Sequence, residues 1–238
     1  MIRNLKALGL ALVAVFAMSA LVASAAQAEF TFTAWETNET NHVHSTFKSE
    51  QSAAFGDLFA QTAGKPAFKC EKSPTSATST TGDETYLTAS PTYSNCTIGA
   101  NLAFVTVLPT TCHYRFHVTS KHTAHEYTGT VDITCTTPGD SIHVQVYTNS
   151  GEGTKVCEIT IDEQHGINGI TYTNDTSGGL KDILVHVNST NIKTTTTKGG
   201  ILCQNNTGVN HTAGTFTGSD RVQAFNAGGA QINATISG

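Results

Sequence analysis

The chain has 238 residues, only 13% of them charged, with 13 Lys and Arg against 18 Asp and Glu for a formal net charge of −5. That balance excludes binding of nucleic acid or an anionic membrane by bulk charge. Thr, about one residue in six, takes the place of charge, and its β-branched, hydroxylated side chain suits strands with a wet outer face.

The first predicted element is an export signal. Met1 to Lys6 carries Arg3 and Lys6 and no acid, Ala7 to Val22 is almost wholly apolar, and small residues run from Ala23 to Ala28. A basic start, an apolar helical run and an Ala-x-Ala site form a secretory signal peptide, with the cut placed after Ala28 by Ala26-Gln27-Ala28. The alternative is a retained anchor, because the apolar run is near the lower length limit for spanning a bilayer. Cleavage takes 28 of the 238 residues and leaves 210, read as one all-β domain over 29–238. Arg3 and Lys6 leave with the signal, so 11 basic residues face 18 acidic ones, a net charge of −7. The residue after the cut is Glu29 and not a cysteine, and no second apolar run occurs, so no membrane attachment is expected after cleavage.

The mature chain reads in period two. Phe30, Phe32 and Ala34 alternate with Thr31 and Thr33. Ser49 to Gln61 fits a short helix or an irregular strand. Lys72 to Asp83 is polar and reads as a loose loop, the best place for a weak subdivision. Leu102 to Val107 reads as a strand buried on both faces. Ile142, Val144 and Val146 alternate with His143, Gln145 and Tyr147. Cys157, Ile159 and Ile161 alternate with Glu158, Thr160 and Asp162. Ile183, Val185 and Val187 alternate with Leu184, His186 and Asn188, and Ile232, Ala234 and Ile236 close the chain. Turn residues separate these runs, as at Thr137-Pro138-Gly139-Asp140 (read as type I), Asn149-Ser150-Gly151 and Ala227-Gly228-Gly229. Many short strands with turns at this spacing predict an antiparallel β-sandwich, or two small β lobes sharing one core.

All six cysteines, Cys70, Cys96, Cys112, Cys135, Cys157 and Cys203, fall after the signal. An even count in an exported chain predicts three disulfides, and no Cys-x-x-Cys suggests a zinc cluster. Count alone leaves 15 connectivities open; pairing neighbours in order, Cys112–Cys135 first and then Cys70–Cys96 and Cys157–Cys203, is favoured by one hairpin register. With Cys112 opposite Cys135, Tyr114 faces Ile133, Phe116 faces Val131 and Val118 faces Gly129 on one face. On the other, Arg115 faces Asp132 and His117 faces Thr130. A slip of one residue destroys both matches.

Three segments carry a resemblance. Ala89-Ser90-Pro91-Thr92-Tyr93-Ser94-Asn95-Cys96, Cys112-His113-Tyr114-Arg115-Phe116 and Cys157-Glu158-Ile159-Thr160-Ile161 resemble a family of exported bacterial β proteins without a known activity. The resemblance covers most of the mature chain, and it implies fold and compartment but no mechanism.

Catalytic signals are fragmentary. Gly139-Asp140-Ser141-Ile142 resembles the first block of GDSL-type esterases and Asp162-Glu163-Gln164-His165 supplies an Asp-x-x-His. In that family the serine follows the first strand of an α/β domain, whereas Ser141 sits mid-chain in a Pro-Gly turn. A triad needs its three groups on one rigid scaffold, so no catalytic residue is assigned. The ten histidines offer more. His42 and His44 share a strand face. His113 and His117 share the outer hairpin face but lie too far apart for one metal. His122 and His125 with Glu126 sit at the hairpin tip, where His143 could join them as metal ligands. Trp35 and Tyr147 have outward parity and are the candidate platforms for a carbohydrate or other ligand. No cofactor is implied. The expected role is an exported, extracellular or envelope-exterior, non-catalytic structural or interaction module with an unknown partner. A ligand-binding β module for carbohydrate or metal is the alternative, and a secreted hydrolase the third reading.

Overall fold

The computed structural model describes residues 29–238 apart from 52–56, 63–64, 73–74, 80–81, 99–102, 149–152, 201 and 204–206. The proposed signal segment, Leu102 and the Asn149-Ser150-Gly151 turn lie outside the described residues. Strands in chain order are β1 Thr31–Trp35, β2 Ser45–Gln51, β3 Asp57–Thr62, β4 Lys65–Lys72, β5 Thr75–Ser79, β6 Asp83–Glu84, β7 Tyr86–Ala89, β8 Tyr93–Ile98 and β9 Ala103–Leu108. They continue as β10 Cys112–Lys121, β11 Glu126–Cys135, β12 Ile142–Tyr147, β13 Lys155–Ile161, β14 Gln164–Asp175, β15 Asp182–Lys198, β16 Val209–Phe225 and β17 Gln231–Ser237. All ladders are antiparallel, and the described residues contain no helix. Ser49 to Gln61 therefore enters two strands, and Lys72 to Asp83 contains β5 instead of being a loose loop.

The pairings form two circuits that share β15 and β16. One runs β7-β10-β11-β14-β15-β16-β2-β5. It is open at one seam: among the described residues no ladder joins β5 to β7. The other runs β8-β9-β12-β13-β15-β16-β3-β4 and returns from β4 to β8. Full closure removes exposed edges, the device that keeps β proteins from pairing with one another. The 17-residue strands β15 and β16 are long enough to serve both circuits. The handover occurs where their register shifts between Ser189 and Ile192, and Asn191 takes a left-handed conformation there (φ 62°). Gly169 (φ 97°) fits beneath this point; a Cβ on it would lie 2.2 Å from the Asn188 carbonyl oxygen.

Alternation places the core as the sequence implies. Ile142, Val144, Val146, Ile159, Ile183, Val185 and Val187 are buried, and His143, Gln145 and Tyr147 lie half-buried on the other face. Two runs differ. In β9 only Ala103 and Val105 are buried, and Leu108 is exposed, so this strand is covered on one face. In β1 residues of both parities are buried, Phe32 and Ala34 on one face and Thr33 and Trp35 on the other. Trp35, whose parity alone points outward but whose aromatic bulk favours packing, is 4% exposed, with Lys181 Nζ 5.1 Å from its ring centre. Asn174 lends its side chain as a strand edge to β17, donating to the Ile236 carbonyl (2.9 Å) and accepting from its N–H (2.8 Å).

The three disulfides are Cys70–Cys96, Cys112–Cys135 and Cys157–Cys203. Cys112 pairs directly with Cys135, and the derived hairpin register holds rung by rung to Val118–Gly129. The side chains across one rung differ from expectation. Asp132 does not take Arg115; it is bonded to His117, and Arg115 lies over the Tyr86 ring, 4.5 Å from its centre. The planar guanidinium gains from the aromatic face what a surface ion pair gives weakly. The Thr137–Asp140 turn closes with Asp140 N–H donating to the Thr137 carbonyl (3.1 Å). Gly139 at its third position has φ 85°, which makes it type II, not type I.

Candidate functional site

The interior of the seamed circuit holds a cavity of about 120 Å³. Inward positions of almost every strand of that circuit build it, with Phe47 from β2, Leu87 from β7, Phe116 from β10, Val131 from β11, Tyr172 from β14 and Val187 from β15 among them. Phe32 of β1 closes one side, its ring edge-on to Tyr172 at 5.6 Å. The closed circuit is more tightly packed: the Phe59 and Phe68 rings meet at a tilt, 5.1 Å between centres, beside a void of about 30 Å³.

A few polar groups interrupt the apolar lining. Ser49 and Thr75 bond to each other through their hydroxyls (2.7 Å), and Asp220 lies on the neighbouring strand. Tyr172 is buried, and its hydroxyl donates to the His117 carbonyl oxygen (3.2 Å); burial pushes its ionisation far above the usual phenol range. Ser189 differs from Ser49, Thr75 and Tyr172. It lines the cavity at 1% exposure, and its Oγ makes no hydrogen bond. A buried hydroxyl without a partner is costly. Half-buried Ala77 of β5 and Ala89 of β7 line the cavity from the two strands of the seam, with half-buried Tyr93 and Tyr114 beside them in the wall.

A second constellation lies on the outer face of β12 and β13. His143 Nε2 is 3.4 Å from Ser141 Oγ, and His143 Nδ1 is 3.3 Å from Glu158 Oε1. Glu158 also accepts from Gln145 Nε2 (2.8 Å) and Lys155 Nζ (2.9 Å), and Tyr147 Oη donates to Gln145 Oε1 (2.7 Å). Partial burial alone would raise the Glu158 carboxyl, but the Lys155 ammonium and the other donors outweigh it and hold it below the ordinary carboxylate range. The order Ser–His–Glu copies a hydrolase triad. Ser141, however, is only 7% exposed, and its own carbonyl is tied to the Thr110 hydroxyl (2.8 Å). The hydroxyl is turned into the network and not toward a substrate. The residues grouped by sequence, Ser141, Asp162 and His165, are not brought together: Asp162 is exposed and His165 lies 3.5 Å from Asp132.

Asp132 is the third polar centre. It accepts from the Gly166 N–H (2.7 Å) and faces His117 (3.1 Å) and His165 (3.5 Å). Burial works against its charge, but the Gly166 N–H and the two imidazoles hold its carboxyl below the usual Asp range.

The metal candidates do not converge. Among the described residues no group of three His, Cys, Asp or Glu side chains could hold a metal ion. At the hairpin tip, Thr123 Oγ1 receives the N–H groups of His125 (3.4 Å) and Glu126 (3.2 Å), so the loop is organised by its own backbone. His143 cannot join it, since β12 neighbours β9 and β13 whereas the tip joins β10 and β11. His42 is engaged by Asp83 (2.7 Å), and His44 is exposed. Trp35 is removed as a platform by its burial, and Tyr147 is bound into the Glu158 network.

Sequence reasoning overlooked the cavity and Ser189. One signal for them was present: Ser189 continues the inward parity of Ile183, Val185 and Val187, a small polar residue at a core position. No protein-family model matches the chain, and no curated protein or solved structure matches it. The resemblance to exported bacterial β proteins thus rests on the three quoted segments alone.

Proposed function

We propose that this is an exported β protein, braced by its disulfides, that acts by binding and not by catalysis, and that its ligand is a small apolar molecule held inside the seamed circuit. The apolar cavity of about 120 Å³ carries this reading. Interior pockets with apolar walls and a few placed polar groups are the usual form of small-molecule sites. We read the two circuits as a sandwich-like body in which one lobe is packed solid and the other is left hollow. The three disulfides suit an oxidising, extracellular setting. They also permit a hollow core, because cross-links offset stability that the missing packing does not supply.

This reading replaces carbohydrate and metal with an apolar ligand and keeps the expectation of a non-catalytic module. The test is calorimetry with toluene on the protein recovered from an oxidising compartment, disulfides formed. Saturable one-to-one binding is expected. Absence of binding up to the solubility limit of toluene overturns the reading.

A further inference from the structure

Building on the proposed ligand-binding role, we infer that the cavity is selective for a small, uncharged ring molecule bearing one hydroxyl or carbonyl group, and that Ser189 is the residue that selects for that group. Size comes first. An engineered apolar cavity of about 150 Å³ accepts benzene, so the space here suits a single ring and not a long acyl chain. The walls suit a ring as well, since Phe32, Phe47, Phe116 and Tyr172 present aromatic faces and edges, which pack against π-systems in offset or edge-on geometry.

The polar group of the ligand follows from Ser189. Its hydroxyl can both donate and accept, lies in the wall of the cavity, and has no protein partner. The other polar wall groups do not reach it. Ser189 pairs with Phe216 and Asp220 with Val185, so the two stand four residues apart along the strands, about 13 Å. A water at Ser189 would therefore face mostly apolar neighbours, whereas a buried water needs two to four polar partners. A ligand hydroxyl or carbonyl needs only the one that Ser189 offers.

Charge on the ligand is excluded by the same walls. An ion entering an apolar cavity loses its hydration, and a single neutral hydroxyl does not replace it.

Position in the fold suits Ser189 to select. It stands at the β15 bulge where the strand passes from one circuit to the other, paired with Phe216 of β16 and backed by Gly169, whose missing Cβ would lie 3.0 Å from the Ser189 Cα. Replacing Ser189 by Ala leaves that backbone and the local volume nearly unchanged.

Calorimetry with toluene, phenol and benzoate at neutral pH, on wild type, Ser189→Ala and Val187→Phe, separates the possibilities. Expected are binding of toluene and phenol to wild type and none of benzoate. Ser189→Ala should weaken phenol about tenfold, the scale of one buried hydrogen bond, and leave toluene unchanged. Val187→Phe, which fills the cavity, should abolish both, and thermal unfolding of each variant confirms that it is folded. If toluene and phenol bind and Ser189→Ala weakens neither, the selectivity is overturned and the binding role stands. Benzoate binding as tightly as phenol overturns the requirement for a neutral ligand. If no probe binds, or if folded Val187→Phe binds both as before, the cavity is not the site and both readings fall.

Discussion

Gly129 stands against the carbonyl of His117: a Cβ at this position would lie 1.9 Å from the His117 oxygen and 2.6 Å from Tyr172 Cε2. The missing side chain lets Tyr172 slide under the hairpin and donate its hydroxyl to that carbonyl at 3.2 Å. Tyr172 is at once the floor of the cavity and the tie between β14 and β10. Gly129→Ala must therefore displace backbone or an aromatic ring, and a loss of about 2–4 kcal/mol is expected in denaturant unfolding. Tyr172→Phe removes only the hydrogen bond and should cost about 1 kcal/mol. Equal stability of Gly129→Ala and wild type would refute this close packing.

The Cys112–Cys135 disulfide closes a hairpin whose register the side chains already specify. Its removal in the Cys112→Ser, Cys135→Ser double variant should lower stability by about 3 kcal/mol through the freed loop. The ladder should persist, so far-ultraviolet circular dichroism of the folded variant should match wild type. A variant that is folded but has lost strand signal contradicts the register argument.

Asp132 and Glu158 predict an acid limb of stability. Both carboxyls are held below their ordinary values of 3.8 and 4.5 in the folded protein. A depressed folded value means that the unfolded chain takes up the proton first as the pH drops. The stabilisation is thus complete above the ordinary values and is lost as pH falls through the folded ones. Unfolding midpoints measured from pH 7 to pH 2 should decline below about pH 4, and the decline should be shallower in Asp132→Asn. An identical slope in that variant removes Asp132 from the account.

Ser141 offers a sharp check on catalysis. Ser141 is buried and its hydroxyl is directed to His143, so a fluorophosphonate that labels activated serines should leave it unmodified. Ser141→Ala should cost about 1 kcal/mol or less, the value of one weak hydrogen bond. A covalent adduct on Ser141 found by peptide mass spectrometry would reinstate the hydrolase reading.

Much of the fold is legible because its signals are local or pairwise. Alternation of apolar residues marks β12, β13 and β15, since a strand turns every second side chain the same way. The β10–β11 register follows from matching Cys, Tyr, Phe and Val against their partners two residues at a time. Trp35 shows where that logic fails. Parity identifies which side a residue points to, but β1 is buried on both sides, and what covers Trp35 comes from a distant part of the chain, Lys181 among it. The Ser141–His143–Glu158 chain was equally hidden, because Glu158 meets His143 only once β12 and β13 are in register.

By itself, then, the sequence determined the all-β class and the Cys112–Cys135 hairpin, because period-two burial and cross-strand matching act over short stretches or between adjacent runs; for the other two cysteine pairs it carried only a preference. Tertiary structure alone decided that β15 and β16 serve two circuits, that one circuit closes solid while the other keeps a seam and a hollow, and that Ser189 faces into it. A cavity is the space left over when distant side chains from many strands fail to meet, and no single segment of chain carries its shape.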